Sequence, residues 1–133
     1  MTHRYIGTKE VTAWPQDKDG APGYAVKYAD GYISWSPKEA FDAAYRTSEP
    51  GLEQALTFGD ALHYLKLGKK VSRSGWNGAG LWLEVQTPDT NSKMTLPYIF
   101  ISYPDNAKTT PGARCPWLAS QTDLMAQDWK VLP

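Results

Sequence analysis

The sequence predicts an α+β fold: a small, mainly antiparallel sheet with a packed helix, preceded by a small β-hairpin-plus-helix unit. Three observations support this prediction. The pair Asp30-Gly31 is a turn signal between two strand-like runs. A capping motif at Thr57 precedes an apolar helical stripe, and Tyr98–Tyr103 is almost wholly β-branched and aromatic. Short strands and capped helices together are typical of the α+β class.

The N-terminal half contains three strand-like runs. Thr8–Trp14 alternates loosely between apolar and polar residues. The next two runs, Tyr24–Tyr28 and Gly31–Trp35, flank the Asp30-Gly31 turn and form a predicted hairpin. The polar loop Gln16–Gly23 separates the first run from this hairpin.

A helix is predicted directly after the hairpin. Ser36-Pro37-Lys38-Glu39 combines an N-cap serine, a proline at the first helical position and a capping-box glutamate. We expect the helix to run to about Tyr45. The residues that it should bury are Ala40, Phe41, Ala44 and Tyr45.

The C-terminal half begins with a second capped helix. Thr57 can cap this helix, and Asp60 stands three residues later, as in a capping box. Gly68 occupies the position expected of a C′ glycine at the helix end. The apolar stripe of the helix consists of Phe58, Ala61, Leu62 and Leu65.

Four strands and one short helix are predicted after the second capped helix. The strands are Val71–Ser74, Leu81–Gln86, Tyr98–Tyr103 and Trp129–Leu132. Asp105–Cys115 is predicted to be a polar loop, and a short helix is predicted near Thr122–Gln127. The Asn77-Gly78 pair predicts a tight turn with positive φ angles.

These elements divide the chain into two predicted domains and a linker. Residues 1–48 form a small hairpin-and-helix domain, and residues 57–133 form the second domain. Residues 49–56 contain Pro50 and Gly51 and are predicted to be a linker. A chain of 133 residues is long enough for two domains only if both are very small.

Composition narrows the classes of function. The formal net charge is zero, so we expect no general electrostatic attraction to DNA, RNA or an anionic membrane. No apolar window approaches the length of a membrane span, so we expect a cytoplasmic protein. Cys115 is the one cysteine, which excludes an intrachain disulfide. With His3 and His63 as the only histidines, we expect neither a metal site nor a cofactor.

The segment from Cys115 to Leu132 is the first candidate for a binding site. It places Trp117 shortly before four hydrogen-bonding side chains, namely Ser120, Gln121, Thr122 and Asp123. An aromatic face beside fixed polar groups suits a planar heterocycle that is hydrogen-bonded around its edge. Ser120 and Asp123 also have a purely structural explanation, because they fit a capping box.

Two further tryptophans extend this candidate site. Trp76 lies in the turn with Asn77 and Gly78, and Trp82 lies in the strand that follows. Each indole can either stack on a ligand or pack within the fold, and the sequence leaves both alternatives open. Trp35 and Trp129, by contrast, are expected in the core.

Two arginines complete the set of candidate contacts. Arg73 and Arg114 are the cations nearest to these segments, and each can clamp a phosphate through its planar guanidinium group. An ordinary surface arginine is the alternative at both positions. Cys115 has no histidine beside it in sequence to activate a thiol. The pattern therefore favours binding over catalysis.

Two blocks of the second half resemble a known family of small phage and prophage proteins. The first block comprises Phe58–Leu62, Leu67–Gly78 and Leu81–Leu83. The second comprises Pro116–Asp123 and Ala126–Trp129. Over roughly residues 57–133 the chain is similar to the second type of Thoeris anti-defence protein.

This resemblance implies a phage sponge for immune signals in the infected bacterial cell, and not an enzyme. It implies a homo-oligomer, a tetramer, that captures glycocyclic ADP-ribose made by bacterial TIR-domain enzymes. Some relatives are implied to hold cyclic di- or trinucleotides of the CBASS systems at separate sites. The candidate tryptophans would then stack on adenine, the polar residues would bind ribose hydroxyls, and an arginine would pair with the phosphates.

Other functions stay open at this stage. Residues 3–46 resemble a short domain common in phage reading frames, which gives no function. The protein could inhibit a host defence effector by direct protein–protein contact, in the manner of an anti-CRISPR. It could also hydrolyse the same nucleotide signals, although an activated nucleophile is not visible in the sequence. A virion accessory role is the third alternative.

Overall fold

The computed structural model describes residues 1–133, which form two compact units, Met1–Arg46 and Thr47–Pro133. Each unit contains one antiparallel sheet with short helices, so the predicted α+β fold class is confirmed. None of the helices has the length and apolar character that crossing a membrane would require.

The first unit contains a three-stranded sheet in the order β1-β2-β3. Its strands are β1 (Thr12–Pro15), β2 (Gly23–Lys27) and β3 (Ile33–Pro37), and both pairings are antiparallel. The predicted hairpin is confirmed as β2-β3. Gly31 in its turn has a φ of 89°, a left-handed conformation that glycine adopts without strain.

The helix of the first unit, α1 (Lys38–Ala44), is not capped as predicted. Pro37 holds the N-cap position and no side chain caps the helix, so the capping box assigned to Ser36 and Glu39 is wrong. Ser36 belongs instead to β3, where it pairs with Tyr24. Strand pairing therefore overrides the local capping signal.

Aromatic stacking holds α1 on the sheet. Phe41 stacks on Tyr24 with ring centroids 4.2 Å apart, and on Tyr45 at 5.0 Å. Phe41 and the C-cap residue Tyr45 are both half-buried. Ala40 and Ala44 are exposed, contrary to prediction, because the two rings occupy the face that a helix of 7 residues turns to the sheet.

The second unit contains a five-stranded antiparallel sheet in the order β7-β6-β5-β4-β8. The strands are β4 (Val71–Arg73), β5 (Trp82–Gln86), β6 (Tyr98–Ser102), β7 (Arg114–Pro116) and β8 (Trp129–Val131), and the helices are α2 (Phe58–Lys66) and α3 (Gln121–Met125). The sequence predicts all of these elements except β7. All three residues of this edge strand are exposed, so no apolar pattern marks it in the predicted loop.

Both ends of α2 match the sequence prediction. The Thr57 hydroxyl accepts from the backbone N–H of Asp60, and the Asp60 carboxylate accepts from the backbone N–H of Thr57, which confirms the capping box. At the other end Gly68 has a φ of 85°. The N–H groups of Gly68 and Lys69 donate to the carbonyls of Leu65 and Tyr64, as in a Schellman motif.

The core of the second unit lies between α2 and one face of the sheet. Its buried residues are Leu56, Ala61, Tyr64, Leu65, Val71, Leu83, Trp129 and Val131. Trp129 is fully buried, as predicted for a core residue, whereas Trp35 in the first unit is only half-buried. The burial of Ala61 and Leu65 agrees with the predicted apolar stripe of α2.

The segment predicted as a linker, residues 49–56, lies within the second unit. Leu56 is buried and exchanges two backbone hydrogen bonds with Trp129, of 2.9 and 3.1 Å. The buried side chain of Gln54 accepts from the N–H of Val131 and donates to its carbonyl. These bonds extend the β8 edge of the sheet by a short bridged segment.

Candidate functional site

Strand register assigns the candidate residues to two opposite faces of the second-unit sheet. In β5, Leu83 pairs with Ile101 and packs in the core, so this face, covered by α2, is called the core face. Trp82 pairs with Ser102, and Ser102 pairs with Arg114, on the other side, which is called the outer face. Successive strand residues point to opposite faces, so Trp82 and Arg114 lie on the side of the sheet opposite to the core, against which Trp76 and Trp117 pack.

On the core face, the Asp123 carboxylate is bonded to three neighbours. Its Oδ1 accepts from Nη1 of Arg73 at 2.7 Å and from the indole Nε1 of Trp76 at 3.0 Å. Its Oδ2 accepts from the backbone N–H of Ser120, whose hydroxyl accepts in turn from the N–H of Asp123. The predicted capping box is therefore present and caps α3. The residue is 8% exposed.

Arg73 is shared between two carboxylates. Its Nε donates to Oδ1 of Asp128 at 2.8 Å, in addition to the bond with Asp123. The Arg73 side chain is 13% exposed, so its position suits a structural ion pair more than a contact with an incoming phosphate. The backbone N–H of Gly75 donates to the other oxygen of Asp128 at 2.8 Å.

These contacts shift the ionisation of all three charged groups. Burial alone would raise the pKa of Asp123, but the bonds from Trp76, Arg73 and Ser120 outweigh it and hold the pKa below its ordinary value. The bond from Arg73 is the main cause that lowers the pKa of Asp128. The bond to Asp128 likewise raises the pKa of Arg73. The cluster is therefore fully charged at neutral pH.

Trp76 and Trp117 pack around the buried Trp129. Their rings meet the Trp129 ring edge-on, at centroid distances of 5.4 and 6.1 Å. Trp117 also contacts Phe58 of α2 at 5.9 Å. Both indoles are half-buried, so each combines a packing role with a partly accessible edge.

The loop after Trp76 is exposed, including Asn77 and Gly78. Neither of these two residues has a positive φ, so the predicted turn conformation is wrong. The left-handed residue of this loop is Gly80, with a φ of 82°. The loop has room for this arrangement because it is longer than the two-residue hairpin turn that an Asn-Gly pair favours.

The polar residues of α3 separate into one buried and three exposed positions. Asp123 faces the core, while Ser120, Gln121 and Thr122 are exposed at the beginning of the helix. Gln121 and Thr122 are therefore available to a ligand or to another protein. Their predicted role as ligand contacts stays a prediction.

The outer face carries Trp82 and Arg114. The Nε1 of Trp82 donates to Glu84 at 3.2 Å, and the ammonium group of Lys70 lies 5.0 Å from the Trp82 ring centroid. The guanidinium of Arg114 lies 5.7 Å from the ring of Phe100. Arg114 is exposed and Trp82 is half-buried, and neither belongs to the core cluster.

Sequence reasoning did not identify Asp128, Lys70, Ser102 or Phe100 as neighbours of the candidate site. Asp128 is 55 residues from Arg73 in the chain, so only the β4-β8 pairing brings them together. Trp82 and Leu83 are adjacent in β5 and therefore point to opposite faces. This alternation would have placed Trp82 on the outer face if the strand pairing had been known.

A separate cleft of about 370 Å³ lies in the second unit. It is lined by Leu52, Glu53, Gln54, Ala55, Ser74, Gln127, Asp128 and Lys130. None of the predicted contact residues lines this cleft. Because it has no aromatic residue in its wall, it offers no ring for stacking.

Comparison with known proteins relates this chain to one family. A family model described as Tad2-like, Thoeris anti-defense 2-like domain, matches residues 56–132. The chain is also similar to the protein Thoeris anti-defense 2 of Bacillus phage SP01, with 32% identity over 94 residues. This alignment covers 61% of the present chain and 99% of the phage relative.

Proposed function

Because the chain belongs to the family of Thoeris anti-defense 2-like domains, we propose that it binds and sequesters a cyclic nucleotide immune signal without cleaving it. The family supports a phage anti-defence role. The proposed mechanism is sequestration: a signal held by the protein cannot reach the host effector that it would activate. Glycocyclic ADP-ribose is the proposed first ligand, and cyclic di- or trinucleotides are proposed further ligands.

One observation supports this proposal above the others. The family match, residues 56–132, falls within the second unit, and that unit contains every residue predicted to contact a ligand. Three half-buried indoles lie in this unit, at Trp76, Trp82 and Trp117. Arg114, Gln121 and Thr122 are exposed in the same unit and can supply a charge-assisted bond and amide or hydroxyl bonds.

The two-faced arrangement supports a homo-oligomer. Trp82 and Arg114 lie on the outer face, whereas Trp76 and Trp117 pack against the core face, and contact between protomers would bring both sets to one ligand. A ligand enclosed between protomers would be buried on most of its surface. Slow release is the usual route to high affinity, and it suits a sponge better than turnover. We propose a tetramer.

Binding and recovery of the ligand test the proposal directly. The purified chain is titrated calorimetrically with glycocyclic ADP-ribose, cyclic ADP-ribose, cyclic di-AMP and cyclic tri-AMP, with linear AMP as a control. The complex is then heat-denatured and the released ligand is analysed by chromatography. We expect submicromolar affinity for at least one cyclic compound and its recovery intact.

Two results would contradict this proposal. Breakdown products in the chromatogram would assign the protein to the hydrolases. Absence of binding to every compound, together with capture of a host defence protein, would favour the protein–protein inhibitor. The mass of the complex, measured by light scattering with and without ligand, tests the tetramer separately.

A further inference from the structure

We propose that the outer face of the second-unit sheet binds the base and phosphate of a nucleotide through Trp82, Ser102 and Arg114. This inference rests on the proposed function, because it assigns a place in the fold to the ligand class proposed there. The register of the strands, the charges on this face and one buried hydroxyl group support it.

The three residues form one row across the sheet. Trp82 of β5 is paired with Ser102 of β6, which is paired with Arg114 of β7. Adjacent strands are separated by about 4.8 Å, so the backbones at Trp82 and Arg114 are about 10 Å apart, with Ser102 between them. A nucleotide is long enough to contact both ends of this row with its base and its phosphate.

The charge on the outer face is positive although the whole chain is neutral. Lys70 lies over the Trp82 ring, Arg114 ends the row, and Lys130 pairs with Ser72 on the same face. Glu84 lies beside Trp82 and already accepts its indole N–H, and Glu53 lines the cleft next to Lys130. Lys70 and Arg114 near the row therefore favour a phosphate, and displacement of Lys70 from the ring frees Trp82 for stacking.

Ser102 supplies the observation that points to a bound partner. It is 1% exposed, and its hydroxyl has no hydrogen-bond partner in the protein. Buried hydroxyl groups in folded proteins are almost always bonded, so an unbonded one marks a place where a partner is expected. Its cross-strand neighbour Arg114 is exposed, with its guanidinium 5.7 Å from the Phe100 ring. Because the hydroxyl is fully buried, side chains on this face must shift before it bonds a ligand.

The proposed contacts follow from these positions. The base stacks on the Trp82 indole, and Lys70 moves from the ring toward the phosphate, as an exposed lysine side chain can. The phosphate accepts two bonds from the guanidinium fork of Arg114. The Ser102 hydroxyl bonds a ribose or phosphate oxygen between them.

Two variants and one control test this assignment. Arg114→Gln removes the exposed charge, and Ser102→Ala removes only the unbonded hydroxyl. Lys93→Gln is the charge-matched control, because Lys93 is exposed in the loop between β5 and β6. Affinity for ADP-ribose, cyclic ADP-ribose and cyclic di-AMP is measured for each protein, and thermal unfolding is recorded in parallel.

For the probe that binds the unmodified protein, we expect about a tenfold loss of affinity in Arg114→Gln and about a threefold loss in Ser102→Ala. Lys93→Gln should bind like the unmodified protein. Ser102→Ala should unfold at the same temperature or higher, since it loses an unbonded buried group. A loss of affinity in this variant then cannot be explained by unfolding.

The outcomes separate the two proposals. If the unmodified protein binds a probe and both variants bind it equally well, the outer-face site is wrong and the proposed function stands. If the unmodified protein binds none of the three probes, the outer-face site is contradicted, whereas the proposed function is decided by the titration with glycocyclic ADP-ribose. Indole N–H signals in NMR spectra give a second criterion: the Trp82 signal, identified with Trp82→Phe, should shift on ligand addition. A shift confined to Trp76 and Trp117 would overturn the assignment.

Discussion

Trp76 donates its indole N–H to Oδ1 of Asp123 across 3.0 Å, joining the loop after β4 to the first turn of α3. The same oxygen accepts from Arg73 at 2.7 Å. The carboxylate is therefore occupied by partners within the protomer. Its main role in this structure is to fix the Trp76 loop, β4 and α3 relative to one another.

Asp123→Ala should destabilise the second unit. The substitution leaves the guanidinium of Arg73 and the indole N–H of Trp76 without this acceptor and removes one half of the α3 capping box. Removing one member of a largely buried ion pair costs about 3 kcal/mol in the free energy of unfolding. Urea unfolding followed by tryptophan fluorescence measures this loss.

Gln121→Ala is the control for that substitution. Gln121 is exposed at the first position of α3, so the free energy of unfolding should change by less than about 0.5 kcal/mol. Equal free energies of unfolding for the two variants would show that the hydrogen bonds of Asp123 do not stabilise the fold. Any loss of ligand binding in Asp123→Ala must be corrected for its stability before it is attributed to a ligand contact.

Acid should weaken the second unit through Asp123 and Asp128. Both carboxyl groups have folded-state pKa values below the ordinary 3.8, Asp123 because its bonds outweigh the opposing effect of burial and Asp128 mainly because of Arg73. Between each lowered pKa and 3.8, the unfolded chain binds more protons than the folded chain. Stability from these groups is therefore fully present above about pH 5 and is lost as the pH falls through the folded-state values.

The measurement is a series of urea unfolding curves from pH 7 to pH 2.5. Asp128→Asn should have a lower free energy of unfolding at pH 7 and a smaller further loss in acid, because it no longer titrates at this position. Asp105→Asn changes an exposed carboxylate in the β6-β7 loop and serves as the control. The interpretation fails if Asp128→Asn loses as much stability between pH 5 and pH 2.5 as the unmodified protein.

Local signals in the sequence predicted those elements whose bonds are also local. The α2 capping box spans three residues, and the β2-β3 hairpin closes over a short turn, so both could be predicted without knowing the rest of the fold. The Ser36 capping motif failed because residues of β2, more than ten positions earlier, pair with that segment. Local patterns do not report such competition.

The candidate site shows the same limit. Residue type correctly places Trp129 in the core, but the opposite orientations of Trp82 and Trp117 follow from which strands pair and in which register. Arg73 and Asp123 are separated by 50 residues, so their ion pair could not be deduced from spacing. The single candidate site predicted from the sequence is therefore divided between two surfaces of this chain.

Gly23→Ala should disrupt the first unit. A Cβ atom at this position would lie 2.4 Å from the Trp35 ring and 2.4 Å from the carbonyl oxygen of Ser36, far inside contact distance. Overpacking of this kind costs about 1–3 kcal/mol, which is a large share of the stability of so small a unit.

Gly7→Ala is the matched control, since no atom lies within 4 Å of its added Cβ. NMR signals of the Trp14 and Trp35 indoles should collapse toward unfolded positions in Gly23→Ala alone; native signals in that variant would refute the close approach of Trp35.

Two glycine substitutions in and after α2 should change stability in opposite directions. Gly68 has a φ of 85° and nothing within 4 Å of an added Cβ, so Gly68→Ala is opposed by backbone strain alone and should destabilise by about 1 kcal/mol. Gly59 lies in the first turn of α2, and its added Cβ would meet only Thr57 Oγ1, at an ordinary 3.6 Å. Gly59→Ala should therefore stabilise the second unit by about 0.5 kcal/mol, because alanine loses less conformational entropy than glycine in a helix. Urea unfolding at neutral pH measures the free energy of unfolding of both variants. Each variant adds one methyl group to a glycine, so each serves as the control for the other. If Gly68→Ala stabilised the protein instead, residue 68 would not have the left-handed backbone conformation, and the chain from Lys69 into β4 would follow a different backbone course.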